Sequence, residues 1–176
     1  MELYLARHGH VDYDNSIDLF AASLTGQGQE QSLQLAEMCK RLDIRFMIAS
    51  TMIRAEETAN IISTVIPDMT RWDLEELQAV NVDDLMLDPF GHPSMDHWTD
   101  EQIKNGQKRA WIRITAIMPR IEIYMENYEF ERGLLVLHED VIQMMLLAWH
   151  GKDWRSLDEC QSFDFGSVTR VVLENG

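Results

Sequence analysis

The sequence predicts one α/β domain, a three-layer α/β/α sandwich around a mostly parallel central sheet. Two observations predict it. Short apolar runs alternate along the chain with longer segments whose apolar residues recur at helical spacing. The chain is also the right size for one core: 176 residues, 45% hydrophobic and 26% charged, as in an ordinary soluble globular domain.

Glu2 to Ala6 alternates around Leu3 and Leu5 and reads as a first strand, broken by Gly9. A polar, acidic loop runs from Val11 to Ser23. Thr25 is an N-cap candidate for a helix ending near Arg41, with Leu33, Ala36 and Met38 at helical spacing and Gly28 a mild local cost. Phe46 to Ala49 is a buried second strand. Ser50-Thr51 closes that strand and caps a helix that runs to about Ile66 and stops at Pro67. A third strand covers Thr70 to Leu74. From Asp83 to Asp100, Pro89, Gly91, Pro93 and scattered acids mark a loop or lid, which also holds His97 and Trp98. A long helix follows, about Asp100 to Asn127, kinked or split at Pro119, with Trp111, Ile114, Ile117 and Ile121 facing the core. The segment at about 83–128 is thus expected to be a lid or specificity insertion in a single domain spanning 1–176. Leu134 to Leu137 is a fourth buried strand and Val141 to Trp149 a helix ending near Gly151. Ser162 to Phe165 and Val168 to Leu173 read as two last strands joined by a turn at Gly166.

The net charge of −15 argues against nucleic acid or an anionic membrane as a partner. A phosphorylated substrate would need a local island of cationic side chains. Cys39 and Cys160 lie far apart without metal or redox spacing, so a reduced, cytoplasmic location is the expectation. No secretory leader is expected, since acidic and basic residues, Glu2 and Arg7, fall within the first seven positions, and the apolar stretch from Val141 to Trp149 is too short to span a bilayer. The oligomeric state is not legible.

Chemistry concentrates where the predicted strands end. Arg7-His8-Gly9 follows the first, Arg54 lies one turn into the helix after the second, and His138 closes the fourth just before a helix. In open α/β sheets ligands bind beyond the carboxyl ends of the strands. Guanidinium groups hold phosphoryl oxygens, imidazole can attack phosphorus, and a helix N-terminus favours an anion. A different chemistry stays open: His8-Gly9-His10-Val11-Asp12 spells HxHxD, a spacing used by metal-dependent hydrolases.

The ordered set Arg7-His8-Gly9, Leu24-Thr25-Gly26-Gln27-Gly28-Gln29-Glu30-Gln31, Ser50 with Arg54-Ala55 and Thr58-Ala59, Leu74-Glu75-Glu76-Leu77 and Val136-Leu137-His138 resembles the histidine phosphatase superfamily, the phosphoglycerate-mutase-like proteins. The likeness covers residues 1 to about 150, and Gly166-Ser167-Val168-Thr169 is similar to that family's closing strand. The resemblance implies a phosphomonoester hydrolase working without a cofactor. His8 would be the nucleophile that becomes phosphohistidine, with Arg7, Arg54 and His138 on the phosphate oxygens. One His8 nitrogen would donate to a backbone carbonyl, leaving the other neutral for attack. Glu76 fits the family's proton donor, with Glu75 its neighbour; on an extended segment only one of them would face the pocket. Gly9, Asn15, Thr25 and Glu139 are expected substrate contacts, and no metal is implied. The substrate would be a small phosphorylated metabolite or a phosphoprotein.

The chain also departs from the family pattern. Val11 lacks the usual hydroxyl, Asp14 stands at the usual Asn with Asn15 one position on, and Glu139 replaces a small residue. The Gly-rich and Pro-x-Gly-Glu-Ser stretches of mutase-like members are absent, which favours hydrolysis over mutase activity. A phosphohistidine protein phosphatase and a weakly active, regulatory member of the fold are the alternatives.

Overall fold

The structure, a computed structural model, describes residues 1–13, 21–80 and 99–173. Strands β1 (Glu2–Arg7), β2 (Phe46–Ser50), β3 (Thr70–Leu74), β4 (Arg132–Leu137) and β5 (Val168–Val172) form one sheet in the order β3-β2-β4-β1-β5. The first four are mutually parallel, and β5 closes the edge antiparallel to β1. Helices α1 (Gly26–Arg41) and α2 (Ile53–Val65) cover one face; α3 (Asp100–Asn127) and α4 (Glu139–Trp149) cover the other.

The period-2 geometry of a strand divides the core. Leu3, Leu5, Phe46, Ile48, Leu135 and Leu137 pack with Ile114, Ile121 and Met125 of α3 and Ile142 of α4. Tyr4, Ala6, Met47, Ala49, Leu134 and Val136 pack with Leu35 and Ala36 of α1 and Ala59 and Ile62 of α2. Both faces of the central strands are therefore buried, as expected of parallel strands flanked by crossover helices. Each large aliphatic side chain so buried contributes about 1.5–3 kcal/mol.

The topology sets the site. β1 and β4 are neighbours, yet the chain leaves β1 toward α1 on one face and β4 toward α4 on the other. Such a divergence opens a crevice at the carboxyl ends of the two strands. Two glycines close the loop after β1 against α1. A Cβ on Gly28 would meet the His10 carbonyl oxygen at 2.3 Å, and one on Gly9 would meet the Gly28 oxygen at 2.4 Å. Gly28 is thus required by backbone contact, not merely tolerated in the helix.

Thr25 caps α1 as predicted, its Oγ1 accepting from the Gly28 amide at 3.2 Å. Several expectations need correction. α2 has Met52, not Ser50-Thr51, at its N-cap, with no side-chain cap bond. α3 runs unbroken through Pro119, because its buried stripe of Ile114, Ile117 and Ile121 holds the turns on either side against the sheet. This helix, assigned to a lid from its sequence position, is a core layer. Ser162–Phe165 is not a strand: Phe163 turns inward to the core while its backbone pairs with site side chains. Glu75–Leu77 is a 3₁₀ turn rather than an extended segment. Arg113 clamps it, Nη1 donating to the carbonyls of Glu76 at 2.6 Å and Gln78 at 2.9 Å. A further 3₁₀ segment covers Trp154–Glu159. The loop residues Asp83, Asp84, His97 and Trp98, and also Asp14 and Asn15, lie outside the described residues.

Candidate active site

A cleft of about 350 Å³ lies in the crevice, lined by Arg7, His8, Tyr13, Arg54, Ala79, His138, Glu139, Asp140 and Gln143. Both histidines come from strand ends. The His8 amide still bonds to the Leu137 carbonyl at 3.0 Å, extending the β1–β4 ladder by one residue. This brings the two rings to 5.2 Å between centroids.

His8 is 1% exposed. Its Nδ1 lies 2.8 Å from the Gly9 carbonyl oxygen, which can only accept. Nδ1 therefore carries the proton and Nε2 the lone pair, and Arg54 Nε donates to that Nε2 at 3.1 Å. Burial, followed by the Arg54 charge, pulls the His8 pKa from 6.5 down to about 3. The ring is neutral at physiological pH, with its Nε2 lone pair intact. Gly9 is not itself in the cleft; its amide donates to Thr58 Oγ1 at 3.1 Å, and Thr58 Oγ1 donates to the Arg54 carbonyl at 2.8 Å. One hydroxyl thus ties the His8 loop to the helix that carries Arg54.

His138 is 2% exposed, and Ser50 Oγ sits 2.8 Å from its Nε2. Its pKa is held well below the usual range, first by burial and then by Arg54. Arg7 lies over the Phe165 ring at 4.0 Å, bonds to the Phe163 carbonyl, and pairs through Nη1 with Glu139 Oε2 at 2.8 Å. Glu139 Oε1 also accepts from the Phe163 amide at 3.1 Å. The buried side-chain polar atoms without a partner among the described residues include Arg7 Nε and His138 Nδ1. Buried polar atoms are rarely left so unless something else supplies a partner.

The structure thus brings together Arg7, His8, Arg54, His138 and Glu139 from the residues singled out in sequence. It does not bring Thr25 to the cleft: Thr25 Oγ1 is spent on the α1 cap and on His10 Nδ1 at 2.9 Å. Nor does Glu76 line the cleft; its carboxylate faces Arg120 of α3 at 3.9 Å. His8 and His10 of the HxHxD string take different partners, and no three His, Cys, Asp or Glu side chains gather as a metal set among the described residues. Asp140, Tyr13, Phe165 and Gln143 escaped the sequence reading. The signal available for Asp140 was its place two residues after His138. Starting the helix at Val141 rather than Glu139 hid it.

An α/β sandwich with two neutral imidazoles and two guanidiniums at the carboxyl ends of adjacent parallel strands is built to hold an anion beside a histidine. The chain belongs to the histidine phosphatase superfamily (branch 1), whose sequence profile matches residues 3–176. Its relatives include phosphatases and mutases. It is 31% identical over 150 residues, 82% of its length, to the mitochondrial serine/threonine-protein phosphatase Pgam5 of Caenorhabditis elegans, of which it spans 48%. It is 25% identical over 178 residues to mouse PGAM5, covering 97% of this chain and 57% of that protein. The probable phosphoglycerate mutase GpmB of an Enterobacter strain is 30% identical over 150 residues, with 78% of this chain and 69% of that protein covered. The chain therefore spans about half the length of its PGAM5 relatives. Among solved structures, the alpha-ribazole phosphatase of Shigella flexneri shares the fold with a TM-score of 0.75 at 21% identity, over 99% of this chain and 91% of that one. Bacillus stearothermophilus YhfR does so with a TM-score of 0.73 at 18% identity, over 99% and 92%.

Proposed function

We propose that this chain hydrolyses a phosphomonoester through a phosphohistidine formed on His8 Nε2. One observation carries the reading: a buried neutral imidazole, its Nδ1–H fixed on the Gly9 carbonyl and its Nε2 beside Arg54, stands among buried polar atoms without a partner among the described residues, Arg7 Nε and His138 Nδ1. A bound phosphoryl group would supply an acceptor for Arg7 Nε and, with the His138 proton on Nδ1, for that nitrogen too. Arg54 would shift from Nε2 onto a phosphate oxygen, releasing the lone pair for in-line attack. Arg7 and His138 would stabilise the charge on the equatorial oxygens, where positioning and electrostatics do most of the work. A cleft of about 350 Å³ is at the small end for ligand sites, so a compact phosphorylated metabolite or a single phosphorylated side chain fits best. The PGAM5 relatives, named as protein phosphatases, support the second of these. A reducing compartment such as the cytoplasm agrees with two free thiols, the buried Cys39 thiol being pushed up to about 12 by burial.

The Arg7–Glu139 ion pair favours a second reading, a weakly active regulatory member whose anion site is internally occupied. One experiment separates them: a phosphatase screen over a metabolite and phosphopeptide library, with His8→Ala as the blank and labelled phosphate trapped on the protein. Turnover and acid-labile label that both vanish in His8→Ala support the enzyme. No turnover and no label across the panel would support the regulatory reading.

A further inference from the structure

The cleft that would hold a phosphoryl dianion is lined by as many acids as bases. Arg7 and Arg54 stand there with Glu139 and Asp140, and the imidazoles of His8 and His138 are both held neutral. A bound dianion would leave the filled cleft with excess negative charge. The rest of the chain, at a net −15, adds a field that repels anions and attracts cations. We infer that the preferred substrate carries a positive charge beside its phosphoryl group, a primary ammonium being the simplest case. The inference rests on the phosphoryl-binding part of the reading above.

Partner exchange is the physical core of the argument. Glu139 Oε2 lies 2.8 Å from Arg7 Nη1, and Oε1 accepts from the Phe163 amide. A phosphoryl group that engages Arg7 takes from Glu139 its cation. The carboxylate is then left unpaired in a partly closed site, which is costly. A neutral alkyl phosphate does nothing to offset that loss. A zwitterionic ester does, because its phosphoryl oxygens take Arg7 while its ammonium takes Glu139.

Asp140 supplies a second carboxyl group to the same lining. Val80 N–H donates to its Oδ2 at 2.6 Å, which fixes the side chain beside the cleft. Burial raises the Asp140 pKa, against the amides of Val80 and Val141 and the Arg54 charge, which pull it down. An arriving ammonium joins the groups that favour its ionised form. Both acids sit in the first turn of α4, where negative charge also favours the helix dipole. That role is met equally well by side chains directed into solvent, whereas these two line the cleft.

The test compares two esters that differ in one terminal group. O-Phosphoethanolamine ends in an ammonium where n-propyl phosphate ends in a methyl. Dissociation constants are measured by calorimetry on His8→Ala, which removes the nucleophile and with it turnover. The ammonium ester is expected to bind about tenfold tighter or better, as for one hydrogen bond to a charged group. Glu139→Gln in the same background should remove most of that difference, chiefly by strengthening the propyl ester. Asp140→Asn should narrow it further. Where His8→Ala fails to fold, the ratio of the two KM values in the unsubstituted protein reports the same preference.

A lysine beside a phosphorylated side chain offers the same pair of charges. Two phosphoserine peptides, one with lysine on each side and one with alanine, therefore form a second arm. A preference confined to the small esters assigns the cation to a free metabolite. One confined to the peptides assigns it to a basic segment of a protein. Equal affinities within both pairs would overturn the inference, leaving Glu139 and Asp140 as first-turn acids of α4. A preference undiminished in both Glu139→Gln and Asp140→Asn would also overturn it. Inorganic phosphate separates the two levels of the argument. If it binds while the ammonium confers no advantage, only the charge preference falls. If neither phosphate nor any ester binds, the phosphoryl-binding reading has failed and this inference with it.

Discussion

Glu139→Gln should tighten the binding of inorganic phosphate. Glu139 Oε2 lies 2.8 Å from Arg7 Nη1, with side chains 29% and 15% exposed. At an effective dielectric of about 20, a unit pair at that separation has a gross attraction of about 6 kcal/mol. Most of it is offset by desolvation, leaving a net of about 1.5–3 kcal/mol for a charge-assisted hydrogen bond in a partly closed site. An incoming phosphate has to share or displace that bond. Removing the carboxylate charge should therefore lower the competitive Ki for phosphate or vanadate by about tenfold, taking the low end of that range at 1.4 kcal/mol per decade. Glutamine keeps an acceptor for the Phe163 amide, so the loop that carries Phe163 and Phe165 should hold its place. The assay is inhibition of turnover by phosphate, checked by the phosphate-induced rise in Tm. An unchanged Ki would show that Glu139 does not compete. A weaker Ki would show that it aligns Arg7 for the substrate and would refute the reasoning.

Other perturbations test the framework of the site. Between pH 6.5 and about 3 the unfolded chain takes a proton on His8 that the folded protein refuses, so stability should fall as pH drops through that window. The slope of Tm against pH should be shallower in His8→Asn; an identical slope would mean His8 is not held neutral. Gly28→Ala should cost about 1–3 kcal/mol by overpacking against the His10 carbonyl, read by urea unfolding, and should lower turnover by shifting the His8 loop. Pro119 is exposed inside α3, so Pro119→Ala should gain about 1–2 kcal/mol of the helix-interior penalty. A lower Tm in that variant would mean the proline's rigidity matters more than its missing hydrogen bond.

Local rules read most elements correctly. Thr70–Leu74 and Asp100–Asn127 fell where composition and spacing put them, because strand and helix formation answer to neighbours a few residues away. They misread Ser162–Phe165, whose apolar residues face a core and a site made by distant segments. They likewise made Gly28 a helix cost, since the carbonyl that demands a glycine belongs to residue 10.

The sequence by itself determined the α/β class, the family pattern and the placing of Arg7, His8, Arg54 and His138 at strand ends or one turn beyond. Those features rest on periodicity and on which residues follow a strand. Only the tertiary structure decided what each group does with its neighbours. It set His8 neutral by burying it beside Arg54, tied Glu139 to Arg7, turned Glu76 toward Arg120 and left Asp140 in the cleft. Protonation state and ion pairing depend on burial and on charges a few ångströms away in space, which sequence order does not encode.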